Sequence, residues 1–332
     1  MSPKERISVA MAAYNGERFK SQQLESLARQ TRLPDELVVS DDCSTDQTVE
    51  ILNDFAKCAQ FSVRVLVNEI NVGFDRNFER VIAECTGDLI FLCDQDDVWF
   101  PAKIERMADA LVRHPSAGMV ISNSELVDEN TISLERCLYT RKLPSKERYY
   151  SQGAEAVDIV LAAGLCFGHT MAFRRTTEMI EFSAKSRINY NYDVFRVLVA
   201  GAFSGIVVLP SALTKYRRHG NQQSSSRDLS PSLFGRLRNV LFDSRRSMAS
   251  RTRFAQAIPP ICQLLTAHGA SPGAVDIMAG RAAIAAFQAN LPSSRFRRIV
   301  PILKNLLTWK YHRFANGMST AARDFLISTP PV

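Results

Sequence analysis

The chain reads as an α/β protein: a doubly wound, mainly parallel sheet followed by a helical C-terminal region. Three observations predict this. Short apolar runs alternate with segments of helical periodicity from Ile7 to Ser122. Two of those runs stop abruptly in acids, Asp41-Asp42 and Asp94-Gln95-Asp96-Asp97, as do strands whose carboxyl ends line the ligand crevice of an open sheet. Charge is also unevenly placed. Residues 230–332 hold twelve Arg and two Lys against three Asp and no Glu, in a chain of net charge +7, so the rest is net acidic.

Ile7 to Ala13 is apolar and small, is closed by the turn residues Tyr14-Asn15-Gly16, and predicts the first strand. Phe19, Leu24 and Leu27 then recur at helical spacing. Glu36 to Ser40 predicts a second strand, running into Asp41, Asp42, Cys43, Ser44, Thr45 and Asp46 and a helix with Val49, Ile51, Leu52 and Phe55. Val63 to Val67 is the third strand, Asn71-Val72-Gly73 a turn, and Phe78, Val81 and Ile82 a helical face. Leu89 to Cys93 is wholly apolar, the pattern of a strand buried on both faces. Pro101 predicts a helix start, Ile104, Met107, Ala108 and Leu111 its buried face, and Met119 to Ser122 a fifth strand. Gly164 to Arg174 reads as a loop-to-strand segment lining a cleft, Val194 to Ala200 as a helix and Gly205 to Leu209 as a strand. A Ser/Gln-rich linker at 222–230 divides the chain into domains 1–225 and 226–332.

With 46% hydrophobic and 23% charged residues the composition is globular. No run of eighteen apolar residues is present to span a bilayer. The N-terminus, Met-Ser-Pro-Lys-Glu-Arg, carries both charges and leads into a strand, unlike a signal peptide. Seven scattered cysteines lack Cys-x-x-Cys spacing and fit a reducing compartment, so the expected location is cytoplasmic.

Asp94, Asp96 and Asp97 lie too close together to ionise freely unless a cation stands between them. Hard oxygen donors favour Mg²⁺ or Mn²⁺ over zinc. The plainer reading is an acidic turn capping the next helix. No Gly-x-Gly-x-x-Gly follows the first strand and no Gly-x-x-x-x-Gly-Lys-[Ser/Thr] occurs, so a glycine cradle does not hold phosphates here. The alternative for a diphosphate is a metal bridging its oxygens to carboxylates. The crevice is expected to collect Tyr14, Asp41, Asp42, Asp94, Asp96 and Asp97.

In order, Val-Ala-Met-Ala-Ala-Tyr-Asn-Gly (9–16), Val-Val-Ser-Asp-Asp-Cys-Ser-Thr-Asp (38–46), Asn-Val-Gly-Phe (71–74), Gly-Asp-Leu-Ile-Phe-Leu-Cys-Asp-Gln-Asp-Asp-Val-Trp (87–99), Tyr-Asp (192–193) and Tyr-Arg-Arg-His-Gly-Asn (216–221) resemble an inverting family 2 glycosyltransferase. The likeness covers roughly residues 5–225, and its nearest kin are rhamnosyltransferase-like enzymes of bacterial O-antigen, capsule and exopolysaccharide assembly. It implies a GT-A fold, a nucleotide-diphosphate sugar donor (dTDP-, UDP- or GDP-linked), a glycan or lipid-linked acceptor, and Mn²⁺ or Mg²⁺. By position it gives Tyr14, Asp41 and Asp42 to the base side and Asp94 to the ribose. Asp96 and His219 fall to the metal, with Asp97 in support. The same likeness makes Asp193 the general base, accepting the acceptor hydroxyl's proton as that oxygen attacks the anomeric carbon. Relatives often show His-Asp or Glu-Asp where this chain has Tyr192-Asp193, and a Trp pair where it has Val194-Phe195. His169 and Thr170 are assigned to the acceptor cleft. Each residue has a plainer role open to it: Tyr14 packing at a strand end, Asp41, Asp42 or Asp193 capping a helix, and His219 at the surface. Two rival activities remain: a non-catalytic nucleotide- or membrane-binding scaffold of the same fold, and a sugar nucleotidyltransferase, which needs a Gly-rich, Arg-containing loop that Ala-Ala-Tyr-Asn-Gly does not supply.

In the basic tail, Leu233, Phe234, Leu237, Val240 and Leu241 predict one amphipathic helix, and Arg295 to Phe314 another run with Phe296, Ile299, Ile302, Leu303, Leu306, Leu307 and Trp309. Such helices either lie on anionic lipid at the cytoplasmic face of the inner membrane or pack on protein, including a second copy in a homo-oligomer. Nucleic acid explains the charge less well, because no base-reading or RNA-binding motif accompanies it.

Overall fold

A computed structural model describes residues 5–139, 143–180, 191–219 and 244–326. The chain forms two compact units, Met1–Gly220 and Asn221–Val332. The 222–230 linker and the helix expected around 233–241 lie outside the described residues.

The first unit opens with β1 (Ile7–Ala13), α1 (Glu17–Ala28), β2 (Glu36–Asp41), α2 (Thr48–Cys58), β3 (Ser62–Val67), α3 (Phe74–Glu84) and β4 (Leu89–Asp94). It continues through β5 (Val98–Trp99), α4 (Lys103–Arg113), β6 (Met119–Val127), β7 (Ser133–Cys137), β8 (Arg148–Tyr150), α5 (Ala154–Ala163), β9 (Met171–Arg174), α6 (Tyr192–Phe203) and β10 (Ile206–Arg217). The sheet is mixed and mostly parallel, ordered β3-β2-β1-β4-β9-β6-β10-β5, with β7 on β6 and β8 on β10. Helices flank it, the layering that the GT-A likeness implies. The apolar faces of β1, β2 and β4 (Val9, Met11, Leu37, Val39, Phe91) pack against Leu24 and Leu27 of α1 and Ile104, Met107 and Leu111 of α4. Each such side chain contributes about 1.5–3 kcal/mol on burial.

Strands β1, β2 and β4 are parallel and level at their carboxyl ends, with Ala13 opposite Asp41 and Ala12 opposite Asp94. The order β3-β2-β1-β4 reverses direction between β1 and β4, the switch point at which open α/β sheets bind ligands. Two strands depart from the expectation. β9 runs antiparallel between β4 and β6, so the short 3₁₀ turn before it, Gly168–Thr170, arrives at the carboxyl ends of those strands. β10 does not stop at Leu209. It passes Pro210 through register shifts between Val208 and Thr214 and resumes pairing with β6 up to Arg217. A proline is tolerated in a strand at such an irregularity, and it marked a false end to the apolar run.

The second unit contains α7 (Ser244–Ala267), α8 (Pro272–Ala289), α9 (Arg295–Leu307), α10 (Lys310–Phe314) and α11 (Gly317–Leu326). Leu291, Ile302, Tyr311 and Ala321 form a small core. Buried Asp324 accepts hydrogen bonds from Gln288 Nε2 (2.7 Å) and Tyr311 OH (2.9 Å), and Arg298 donates to its backbone carbonyl (3.0 Å). The 295–314 run is broken at Trp309, which takes a left-handed backbone (φ 58°). Among the described residues no helix is long and apolar enough to cross a membrane.

Candidate active site

The carboxyl end of β1 turns sharply, and the tip of β4 holds that turn. The Gln95 side-chain amide clasps the Tyr14 backbone from both sides, accepting from its N–H (3.0 Å) and donating to its carbonyl (2.9 Å). The approach is so close that a Cβ on Gly16 would meet Gln95 Oε1 at 2.2 Å, so a larger residue there would displace the Gln95 amide from Tyr14. Asn15 and Cys43, just past the ends of β1 and β2, both adopt left-handed backbones (φ 43° and 64°). Such conformations are costly for residues with a Cβ and collect at functional edges. The Tyr14 ring is exposed on this edge.

Asp41 and Asp42, at the end of β2, are buried and occupied by their own loops. Asp41 accepts from Ser44 N (2.8 Å) and Ser44 Oγ (2.5 Å). Asp42 accepts from Asn68 Nδ2 (2.7 Å), Val72 N (2.8 Å) and Gly73 N (2.8 Å). Gly73 has open space around a would-be Cβ but sits at φ 87°, so conformation and not crowding selects glycine.

The acids after β4 are arranged differently. Asp96 Oδ2 lies 2.8 Å from His219 Nε2. Asp94 and Asp97 face the other way, with Oδ2 atoms 3.4 and 3.7 Å from His169 Nδ1. One ligand atom from each of Asp94, Asp97 and His169 fits within 4.8 Å of the other two, a spacing that suits one metal ion. Asp94 Oδ1 and Asp97 Oδ2 are buried with no hydrogen-bond partner among the described residues. Burial first, then the charges of Asp96 and Asp94, push the Asp97 carboxyl well above the usual carboxylate range. Two sets of oxygen and imidazole donors thus flank the same loop, and among the described residues the Asp94-Asp97-His169 set has the spacing of a metal site.

Three buried cations that the sequence reading passed over support this loop. Arg217, at the end of β10, donates its backbone N–H to Asp97 Oδ1 (3.0 Å) and Nε to the Asp96 carbonyl (2.7 Å). Lys103 donates to the His169 carbonyl (2.6 Å) and Thr214 Oγ1 (2.8 Å) and sits 3.8 Å from the Trp99 ring centroid; burial lowers its pKa to about 7. Lys20 reaches Gln95 Oε1 (3.1 Å), and burial lowers its pKa to about 8. Lys103 had as its sequence signal a lysine on an otherwise apolar helix face, beside Ile104 and Met107, and Arg217 stands within the Tyr-Arg-Arg-His-Gly-Asn run.

His169 and Thr170 are buried. The His169 ring stacks on Tyr216 (4.5 Å between centroids) with Nε2 3.0 Å from Ser124 Oγ. Thr170 Oγ1 donates to the Phe167 carbonyl (2.7 Å). Both turn inward because β9 is held between β4 and β6.

Asp193 stands in the first turn of α6, which α3 anchors. Tyr192 stacks on Phe78 (4.1 Å, 5°) and donates its backbone N–H to Asp75 Oδ1 (3.0 Å), and Arg196 forms a two-pronged pair with Glu79 (2.7 and 2.8 Å). Tyr192 is therefore a packing residue. Asp193 Oδ1 accepts from Val194 N (2.7 Å). Burial, joined by the negative charges of Asp94 and Asp75, raises its carboxyl pKa to about 7.

The chain is similar to several known proteins. The profile described as Glycosyl transferase family 2 matches residues 8–176. An uncharacterized protein of Mycobacterium tuberculosis, Rv1520, is 26% identical over 220 residues, covering 65% of this chain and 59% of its own length; the chain thus spans well under two thirds of that relative. The dTDP-rhamnosyl transferase RfbG of Shigella flexneri is 36% identical over 107 residues, 31% of this chain and 37% of its own. Among solved structures, S. aureus TarS 1-349 in complex with UDP-GlcNAc superposes with a TM-score of 0.55 at 18% identity, covering 96% of this chain and 91% of that one. The chain belongs to the family 2 glycosyltransferases.

Proposed function

We propose that the chain transfers a sugar from a nucleoside-diphosphate donor to a glycan or lipid-linked acceptor, with inversion, in assembly of a bacterial surface polysaccharide. The observation that carries this reading is that Asp94 Oδ1 and Asp97 Oδ2 are buried without a hydrogen-bond partner among the described residues, beside a separate carboxyl, Asp193, whose pKa burial raises to about 7. The first group suits a cation and diphosphate, and the second suits proton transfer near neutrality. Rhamnose is the first donor sugar to test, given the similarity to RfbG, and UDP-linked sugars come next, given the fold shared with TarS.

In the reaction, the acceptor oxygen bonds to the anomeric carbon as its proton passes to Asp193. The bond from that carbon to the diphosphate oxygen breaks on the opposite face, and its electron pair leaves with the diphosphate. Mn²⁺ or Mg²⁺ held by Asp96 and His219, or by Asp94, Asp97 and His169, would offset the charge on the departing group. Tyr14, on the exposed edge, offers a ring to the base. Asp41 and Asp42 shape the base side through the loops they hold. Arg217 and Gln95 keep the acid loop and the β1 turn in register.

The test is calorimetric binding of UDP, dTDP and GDP, each with Mn²⁺ and with EDTA, to the wild type and to Asp96→Ala. One nucleotide is expected to bind, only with metal and not to the variant. If no nucleotide binds under any condition, the scaffold reading replaces this one.

A further inference from the structure

Helix α9 buries an arginine and exposes a row of large apolar side chains. Arg298 is fully buried, donating to the Pro292, Ser293 and Asp324 carbonyls, and Ile302 is buried beside it. Phe296, Val300, Leu303 and Leu307 point outward and are 83%, 74%, 49% and 80% exposed. These four follow the spacing i, i+4, i+7, i+11 and fall within an arc of about 60° on a helix of about 3.6 residues per turn. Trp309, just past the helix end with a left-handed backbone, is 71% exposed. Exposed Arg297 and Lys304 border it along one side, and exposed Arg295 and Lys310 stand at its two ends. No Asp or Glu occurs between Asp276 and Asp324, so α9 and α10 carry basic side chains and no acidic one of their own, with Arg313 of α10 paired to Asp276.

We propose that this strip is a membrane-docking surface, with α9 lying in the plane of an anionic bilayer. Charge decides between the two occupants an apolar strip of this kind invites. A second copy of the chain would bring the Arg295, Arg297 and Lys304 charges bordering one strip against those of the other, whereas anionic headgroups complement them while Phe296, Val300, Leu303 and Leu307 enter the acyl boundary. Trp309 is amphipathic and suits the headgroup level. The proposal rests on none of the catalytic assignments, so loss of sugar transfer and loss of docking are separately measurable.

The test uses the full chain with vesicles of phosphatidylcholine alone and of equal parts phosphatidylcholine and phosphatidylglycerol. The chain has two tryptophans, and Trp99 is 2% exposed, so a vesicle-induced blue shift of emission reports Trp309. A blue shift with co-sedimentation on the anionic vesicles only is expected, both reversed by high salt. Phe296→Ser/Leu307→Ser should weaken partitioning more than tenfold. Arg297→Glu/Lys304→Glu should weaken it comparably, and both variants alter exposed side chains only. Equal binding to both vesicle types, or unchanged binding by either variant, would overturn the proposal. Concentration-dependent self-association that Phe296→Ser/Leu307→Ser abolishes, without vesicle binding, would assign the strip to a second copy instead.

Discussion

The two acidic strand ends look alike in the sequence and do different work in the fold. At the end of β2, Asp41 and Asp42 are buried, and both oxygens of each accept hydrogen bonds from nearby loops. At the end of β4, Asp94 and Asp97 each leave one buried oxygen without a partner among the described residues, and Asp96 meets a histidine from 123 residues away. An acid whose oxygens are all satisfied within the protein builds structure. One whose oxygens remain unsatisfied in a buried place is costly to keep and is suited to a ligand.

That contrast can be broken or sharpened by substitution. The largest expected effect is on turnover: Asp193→Asn should lower kcat by about 10²–10⁴-fold while nucleotide affinity holds. Unchanged turnover would remove Asp193 from the chemistry. Asp42→Ala should instead act on the fold, stripping the acceptor from Asn68, Val72 and Gly73 and costing about 3 kcal/mol in denaturant unfolding. The pH profile comes next. A base must be ionised to take a proton, so kcat should climb about tenfold per pH unit below the Asp193 pKa of about 7 and level off above it. The Asn variant should lose that limb.

The smallest effect is a change of sign. Asp97 has its pKa raised by burial, so its folded-state ionisation opposes stability once pH exceeds the unfolded-state value, and fully so above the folded one. Without divalent cation, Asp97→Asn should therefore raise the melting temperature slightly at neutral pH, and the gain should vanish in acid. A loss of stability at neutral pH would group Asp97 with Asp42.

Much of this was legible in the chain. The runs from Ile7, Glu36, Val63 and Leu89 are strands because they are apolar over a strand's length and end in turn residues or acids. Their acids were found because the carboxyl edge of such a sheet is a known place. The antiparallel course of β9 was not legible, since a four-residue run says nothing of direction. Nor was the continuation of β10 past Pro210, where local chemistry argued for a stop and pairing with β6 prevailed.

The sequence by itself determined the alternation of strand and helix, the acids of the β4 edge and the cationic character of the tail, because each is a local pattern of side chains. Only the tertiary structure decided which acids are spent on their own loops and which remain available, that His169, Arg217 and Lys103 gather around Asp94 and Asp97, and that α9 buries an arginine while exposing Phe296 and Leu307. Those outcomes depend on partners up to 123 residues apart. Hydrogen-bond satisfaction and burial are properties of such assembled neighbours, and no window of sequence contains them.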